Sequence, residues 1–160
     1  MRDKILNMKQ AIELCSEYRD KNQKYTVVLG CFDIIHEGHV GLIKEAKELG
    51  YPVIVGIKSD KDMKNKSNKG EGRPVVHQMS RAVIMDSLKY VDHTFIYNYS
   101  DKLIEELKPS FHIKGPDHKY SKNGNIEKEI VERNGGQFLI LGPKKIRSTT
   151  KIIDKVKKTL

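Results

Sequence analysis

Apolar residues recur at helical spacing from the start of the chain. Ile5, Leu6, Met8, Ala11, Ile12, Leu14 and Cys15 share one side of a 3.6-residue period, which predicts an amphipathic helix over residues 3–20. Asp20 to Lys24 is a polar connector. The period then changes. Tyr25–Leu29 is a continuous β-rich apolar run and predicts a strand. Val40, Leu42, Ile43, Ala46 and Leu49 restore helical spacing, and Gly50 ends that helix. Pro52 opens a second strand, Val53–Ile57. Ala82, Val83, Met85 and Leu88 mark a helix over Ser80–Leu88, followed by a strand at Thr94–Tyr97. Leu103–Leu107 is helical and stops at Lys108-Pro109. Phe111–Lys114 is a strand, Ile126–Arg133 a helix closed by Gly135 and Gly136, and Gln137–Leu141 the last strand. Ser148 caps a final helix running to Lys158.

Strands alternating with helices predict an α/β domain, a parallel five-stranded sheet flanked by helices. The strands are short and apolar, as buried parallel strands are. Ligands bind such sheets outside the carboxyl ends of the strands. Four polar or glycine-bearing segments follow strands here: Gly30–His39, residues 58–76, Gly115-Pro116-Asp117 and Gly142–Thr150. The 58–76 stretch has almost no apolar content and carries Lys58, Lys61, Lys64, Lys66, Lys69 and Arg73. A connection of that length reads as a functional lid, with a solvated loop as the plain alternative.

A length of 160 residues suits one core. No apolar run is long enough to span a bilayer, and Met1-Arg2-Asp3-Lys4 leads into a mixed stretch with no signal core, so a cytoplasmic protein is expected. The net charge of +9 fits either nucleic acid or a small polyanion. Lysines are spread along the whole chain without an aromatic-interleaved basic stripe, and Trp is absent, which argues for the small anion and against nucleic acid. Cys15 and Cys31 have no metal-binding spacing.

The segment Gly30-Cys31-Phe32-Asp33-Ile34-Ile35-His36-Glu37-Gly38-His39 sits where a strand gives way to a helix. A helix start offers unpaired N–H groups and partial positive charge, which suits phosphate. Imidazoles placed there donate hydrogen bonds to charge developing on phosphate oxygens. Two capping or core histidines are the plain alternative, and a zinc site lacks a third ligand at suitable spacing. His77, His93, His112 and His118 read as structural or solvent-facing. Gly30 and Gly38 are expected to allow close backbone approach to a ligand. Asp33 orients the loop or forms an Asx-turn.

Gly30-Cys31-Phe32-Asp33-x-x-His36-x-Gly38-His39 resembles the signature of the cytidylyltransferase-like nucleotidyltransferases. Lys69-Gly70-x-x-Arg73-Pro74 with Arg81 and Val91-Asp92 resembles the middle of the heptose 1-phosphate adenylyltransferase domain. Lys114-Gly115-Pro116-Asp117 resembles its Lys-Gly-Gly-Asp. Ser148-Thr149-Thr150 resembles the Ser-Thr-Thr of both the heptose and the glycerol 3-phosphate cytidylyltransferase branches. The resemblance spans about residues 25–156. It implies a single Rossmann-like nucleotidyltransferase domain over 25–160, preceded by an N-terminal helix and connector, 1–24. It also implies attack by an acceptor phosphate on the α-phosphorus of an NTP, with release of pyrophosphate. His36, His39, Lys69 and Arg81 would act in the transfer. Gly30, Cys31, Phe32, Gly38, Lys114, Asp117, Arg147, Ser148 and Thr149 would bind the nucleotide. Asp33, Lys66 and Arg73 would hold the acceptor, and Mg2+ would be bound mainly through the nucleotide phosphates.

The heptose-branch motifs favour ATP narrowly over CTP, with a phosphorylated sugar or polyol as acceptor. A CTP-dependent enzyme making a CDP-alcohol or CMP-phosphonate is the alternative. A nucleotide- or nucleic-acid-binding module without turnover is the alternative of another class. Leu29 stands where the heptose branch usually has Asn, Pro116 replaces a family glycine, and residues 117–125 form a longer polar insertion. The Leu29 and 117–125 departures point to an acceptor other than the usual heptose, and Pro116 bears on the local backbone and its contacts. Related enzymes are often dimers, so a homodimer is the expected assembly, with the N-terminal helix as a contact.

Overall fold

Asn7 separates the first strand from the first helix. Its side chain accepts from the Gln10 N–H at 2.9 Å, and Gln10 Oε1 accepts from the Asn7 N–H at 2.9 Å. This reciprocal cap starts helix α1 at Met8–Asp20 and leaves Ile5–Leu6 as a two-residue strand, β1. The sheet therefore has six strands where the apolar pattern predicts five, and the helix expected from residue 3 begins five residues later. Two apolar residues in a row carry no period, so helix and strand look alike there. In the computed structural model, residues 5–66, 72–99, 101–118, 122–144 and 148–160 are described.

The remaining strands are β2 (Thr26–Gly30), β3 (Val53–Lys58), β4 (His93–Tyr97), β5 (Phe111–Lys114) and β6 (Gln137–Ile140). They are joined by α2 (Glu37–Glu48), α3 (Asp60–Lys66), α4 (Gln78–Asp86), α5 (Asp101–Leu107) and α6 (Lys122–Arg133), and α7 (Thr149–Thr159) follows β6. All pairings are parallel, in the order β1-β4-β3-β2-β5-β6. The order reverses between β2 and β5, so a crevice opens at the carboxyl ends of those two strands. Gly30 lies opposite Ile57, and Val28 opposite Ile113.

Alternation along the strands fills both faces. Val27, Leu29, Ile54 and Phe95 meet Ala11, Cys15, Leu103, Ile104, Ile130 and Val131 of α1, α5 and α6. Val28, Val55, Ile57 and Ile113 meet Leu42, Ile43, Ala46, Ala82 and Met85 of α2 and α4. The apolar face of α1 is thus covered by the chain's own sheet, which weighs against that face as a dimer contact. Burial pushes the Cys15 thiol up to about 12, so it packs as an inert hydrophobe. Asp92 accepts from the Val53 N–H at 2.7 Å and from Lys47 Nζ at 2.6 Å, tying the start of β3 to α2.

The stretch expected as a long open loop begins as a helix. Ser59 Oγ accepts from the Asp62 N–H at 3.1 Å, Asp60 and Asp62 sit in the first turn, and Met63 is fully buried. A single buried apolar residue leaves no periodic trace, which is why the pattern reads as loop.

Gly56 lies at the centre of the sheet. A Cβ there would stand 2.5 Å from Leu29 Cδ2 and 2.9 Å from Phe95 Cζ, both in a filled core. Gly56→Ala is expected to destabilise the fold by about 1–3 kcal/mol, read from urea unfolding midpoints. An unchanged midpoint would show that the core yields there.

Candidate active site

The loop from β2 into α2 is shaped by aromatic rings. Phe32 occupies the left-handed region at φ 49°, and its ring is buried beside His39, with centroids 5.3 Å apart. A Cβ on Gly30 would meet the Phe32 ring at 2.8 Å, and one on Gly38 would meet the His36 ring at 3.1 Å. Both glycines therefore make room for rings of the loop itself.

His36 is the N-cap of α2. Its Nδ1 accepts from the Gly38 N–H at 3.2 Å, and the His36 N–H donates to His39 Nδ1 at 3.4 Å. The rings stack with centroids 3.8 Å apart. A capping box normally uses Ser or Thr with Glu; here two imidazoles fill it. An Nδ1 that accepts carries no proton, so each neutral ring bears its N–H on Nε2. Both capping and phosphate chemistry are thereby available to one ring, through different nitrogens.

A second helix start faces the first. Ser148 Oγ accepts from the Lys151 N–H at 3.2 Å and caps α7, while Thr149 Oγ1 donates to the Ile34 carbonyl at 3.3 Å. Glu45 accepts from the Gly142 N–H at 2.8 Å, and Pro143 packs so tightly on α2 that a Cβ at Gly41 would lie 2.8 Å from it. These contacts hold the starts of α2 and α7 around one cavity of about 610 Å³.

Gly30, Cys31, Phe32, Asp33, His36, Gly38, His39, Arg73, Lys114, Asp117, Ser148 and Thr149 all line that cavity. Arg81 does not. It is fully buried, donating from Nε to the Val76 carbonyl at 2.9 Å, from one terminal nitrogen to the Cys31 carbonyl at 2.5 Å and from the other to Asp60 at 2.6 Å. Its expected part in transfer is corrected to that of a tie between α4, the histidine loop and α3. Asp33 is likewise a buried hub, accepting from Arg73 Nε at 2.5 Å and from the Val75 and Val76 N–H groups at 2.9 Å each. It anchors residues 73–76 against the loop, a longer-range contact than an Asx-turn. Lys69 and Arg147 lie outside the described residues. Lys66 ends α3, and nothing is described of its side chain.

Pro116 opens a short 3-10 turn, Pro116–His118, where a missing N–H costs nothing. Ahead of it, Lys114 is buried, 3.0 Å from Glu127 and 3.3 Å from the Leu29 carbonyl. Glu127 also meets His112 Nε2 at 2.8 Å, and His112 Nδ1 lies 3.1 Å from the Val27 carbonyl. Burial alone would raise the Glu127 carboxyl. The bond to His112 and the charge of Lys114 outweigh it and hold the pKa at about 2. Burial pulls the His112 pKa down, and Lys114 adds to that effect, against the pull of Glu127. Glu127 was not found from sequence, because it sits in a helix of ordinary charged composition. The cavity also draws in Lys58, Asp62, Met63, Tyr97, Tyr99, Lys122 and Asn123.

A family model described as cytidylyltransferase-like matches residues 27–155. The Bifunctional protein HldE of Geobacter metallireducens is 34% identical over 155 residues, covering 96% of this chain and 31% of that protein. Its Helicobacter pylori (strain Shi470) counterpart is 34% identical over 162 residues, covering 98% and 32%. The chain thus spans about a third of the length of the curated relatives it matches. Among solved structures, the lipopolysaccharide core biosynthesis protein of Thermoplasma volcanium GSS1 superposes with a TM-score of 0.58 at 28% identity, over 73% of this chain and 93% of that one. A pantoate-beta-alanine ligase from Francisella tularensis shares the fold, with a TM-score of 0.63 at 19% identity over 96% of this chain and 76% of that one.

Because the folded pKa of Glu127 lies below its ordinary 4.5, its stabilising effect is complete above that value and disappears as pH falls towards 2. Glu127→Gln is expected to lower stability by about 3 kcal/mol at neutral pH. The gap from wild type should narrow on acidification from pH 4.5 to 2, measured by denaturant unfolding. A gap independent of pH would assign the effect to packing alone.

Proposed function

The chain belongs to the cytidylyltransferase-like family, and on that premise we propose that it transfers a nucleoside monophosphate from an NTP to a small phosphorylated sugar or polyol. The observation that carries the reading is the paired helix starts of α2 and α7, closed around one cavity with two imidazoles between them. Such a reaction needs no nucleophilic side chain. It needs alignment of two phosphates and donors aimed at the charge that builds on the α-phosphoryl oxygens.

In this proposal the triphosphate lies across the starts of α2 and α7. Its oxygens meet backbone N–H groups and the Ser148 hydroxyl, whose oxygen accepts the helix cap while its proton is free to be donated. The Nε2–H groups of His36 and His39 donate to the α-phosphate as an acceptor phosphate oxygen bonds to phosphorus and the bond to pyrophosphate breaks. Lys69 closes over the phosphates, with Lys66 as the second choice. Among the described residues no group of three or more His, Cys, Asp or Glu is placed to hold a metal ion. Mg2+ would be held mainly by the nucleotide phosphates with water, where its charge would offset that of the polyphosphate.

ATP is the favoured nucleotide, by the heptose-branch motifs and the HldE relatives. The acceptor class follows the same resemblance, with Leu29, Pro116 and the 117–125 insertion setting this chain apart from the usual heptose pattern. Among the described residues no helix is long and apolar enough to cross a membrane. A cytoplasmic location and a homodimer remain part of the proposal.

Pyrophosphate release from four NTPs against a panel of phosphorylated sugars and polyols tests the reading. ATP with a sugar 1-phosphate is expected to lead. No release from any pair, together with steeply salt-dependent binding to duplex DNA or RNA, would replace the enzyme with a binding module. For His39→Ala, turnover is expected to fall at least 10²–10³-fold, roughly the effect of losing one donor to a developing oxyanion, with the circular dichroism spectrum unchanged. Near-normal turnover would remove His39 from the chemistry.

A further inference from the structure

The crevice has two differently charged sides. The starts of α2 and α7 lie on the sheet face packed by Val28, Ile57 and Ile113. Lys58 ends β3 two residues beyond Gly56 and four beyond Ile54, so alternation turns it to the opposite face, with Tyr97. Lys114 ends β5 two residues beyond His112, on that same face. In the strand order β3-β2-β5 these two lysines therefore flank the loop that carries His36 and His39.

The cations of this wall are not equivalent. Lys114 is matched by Glu127 at 3.0 Å, and Arg73 by Asp33 at 2.5 Å. Among the described residues no carboxylate pairs with Lys58. Its ammonium lies over the Tyr99 ring, 5.5 Å from the centroid. That ring is itself held, with the Tyr99 N–H donating to Asp62 and its hydroxyl to Asp101, each at 3.0 Å. Lys58 is half-buried and lines the cavity. It is thus a pre-positioned positive charge beside the histidine loop, with no carboxylate partner among the described residues, on the face away from the helix starts.

In-line displacement places the entering and leaving oxygens on opposite sides of phosphorus. With pyrophosphate leaving towards the helix starts, the acceptor enters from the face of Lys58. We propose that Lys58 binds the phosphate of the acceptor and selects acceptors by that charge, the Tyr99 ring holding the ammonium in place. This rests on the transfer reading above.

Lys58→Met keeps the alkyl stem on Tyr99 and removes the charge; Lys58→Arg keeps the charge. With the best acceptor of the panel, Lys58→Met is expected to lower acceptor kcat/KM at least tenfold while the KM for the NTP stays within twofold, and Lys58→Arg to recover most of the loss. Equal losses for both substrates, no loss, or no recovery by Arg would overturn the assignment. A second arm needs no turnover: glycerol 3-phosphate and inorganic phosphate are titrated calorimetrically into protein saturated with a non-hydrolysable ATP analogue. Lys58→Met should weaken that binding at least tenfold and leave analogue affinity unchanged. Undiminished phosphate binding in Lys58→Met, or none in wild type, overturns the role of Lys58. Absence of pyrophosphate release with every pair in wild type overturns the transfer reading instead, and the titration still decides for Lys58.

Discussion

Two imidazole nitrogens committed to the start of α2 are the constraint on which the site depends. The Nδ1 atoms of His36 and His39 accept the Gly38 and His36 N–H groups, so two donors at this helix end are satisfied from within the loop. That fixes both ring planes and leaves Nε2 as the protonated position of each neutral ring. Gly30 and Gly38 are small because these rings and Phe32 occupy the space a Cβ would need. Arg81 supports the same loop from below through the Cys31 carbonyl. In the proposed transfer the histidines would meet a substrate already oriented, which lowers the reorganisation needed in the reaction.

Buried charge does the rest of the positioning. Asp33 with Arg73, and Glu127 with Lys114 and His112, are pairs whose desolvation is tolerable only because each charge has a close partner and further hydrogen bonds. Each pair joins distant stretches of chain, the first linking the histidine loop to residues 73–76, the second linking β5 to α6. The pairs also cancel much of their own field. Among the described residues, attraction for anions then draws on the helix starts on one face and on cations such as Lys58 on the other, which gives the crevice a direction.

Much of the fold was legible because parallel strands buried on both faces leave plain apolar runs, and amphipathic helices leave a period. Tyr25–Leu29, Val53–Ile57 and Phe111–Lys114 were readable in that way. Ile5–Leu6 and α3 were not. The first is too short for any period, and the second buries a single methionine, Met63. In the site, the histidine loop and Ser148-Thr149 were legible because a strand-to-helix turn with glycine and imidazole has few uses. Glu127 and Tyr99 were not. Each lies in a stretch of ordinary composition and comes to the cavity only because α6 and the end of β4 pack there.

Local chemistry, the ability of a β2–α2 turn to cap itself with histidines and face an anion, was written in ten consecutive residues, because capping and helix-start electrostatics act over a single turn. The division of labour among the cations was decided by tertiary structure. Whether Arg81 reaches a substrate or braces a loop, and whether Lys114 or Lys58 has a counter-charge, depends on which carboxylates the sheet order brings within about 3 Å. Coulomb energy in a partly buried site is set by those distances and by exposure to water, and residue type and spacing along the chain encode neither.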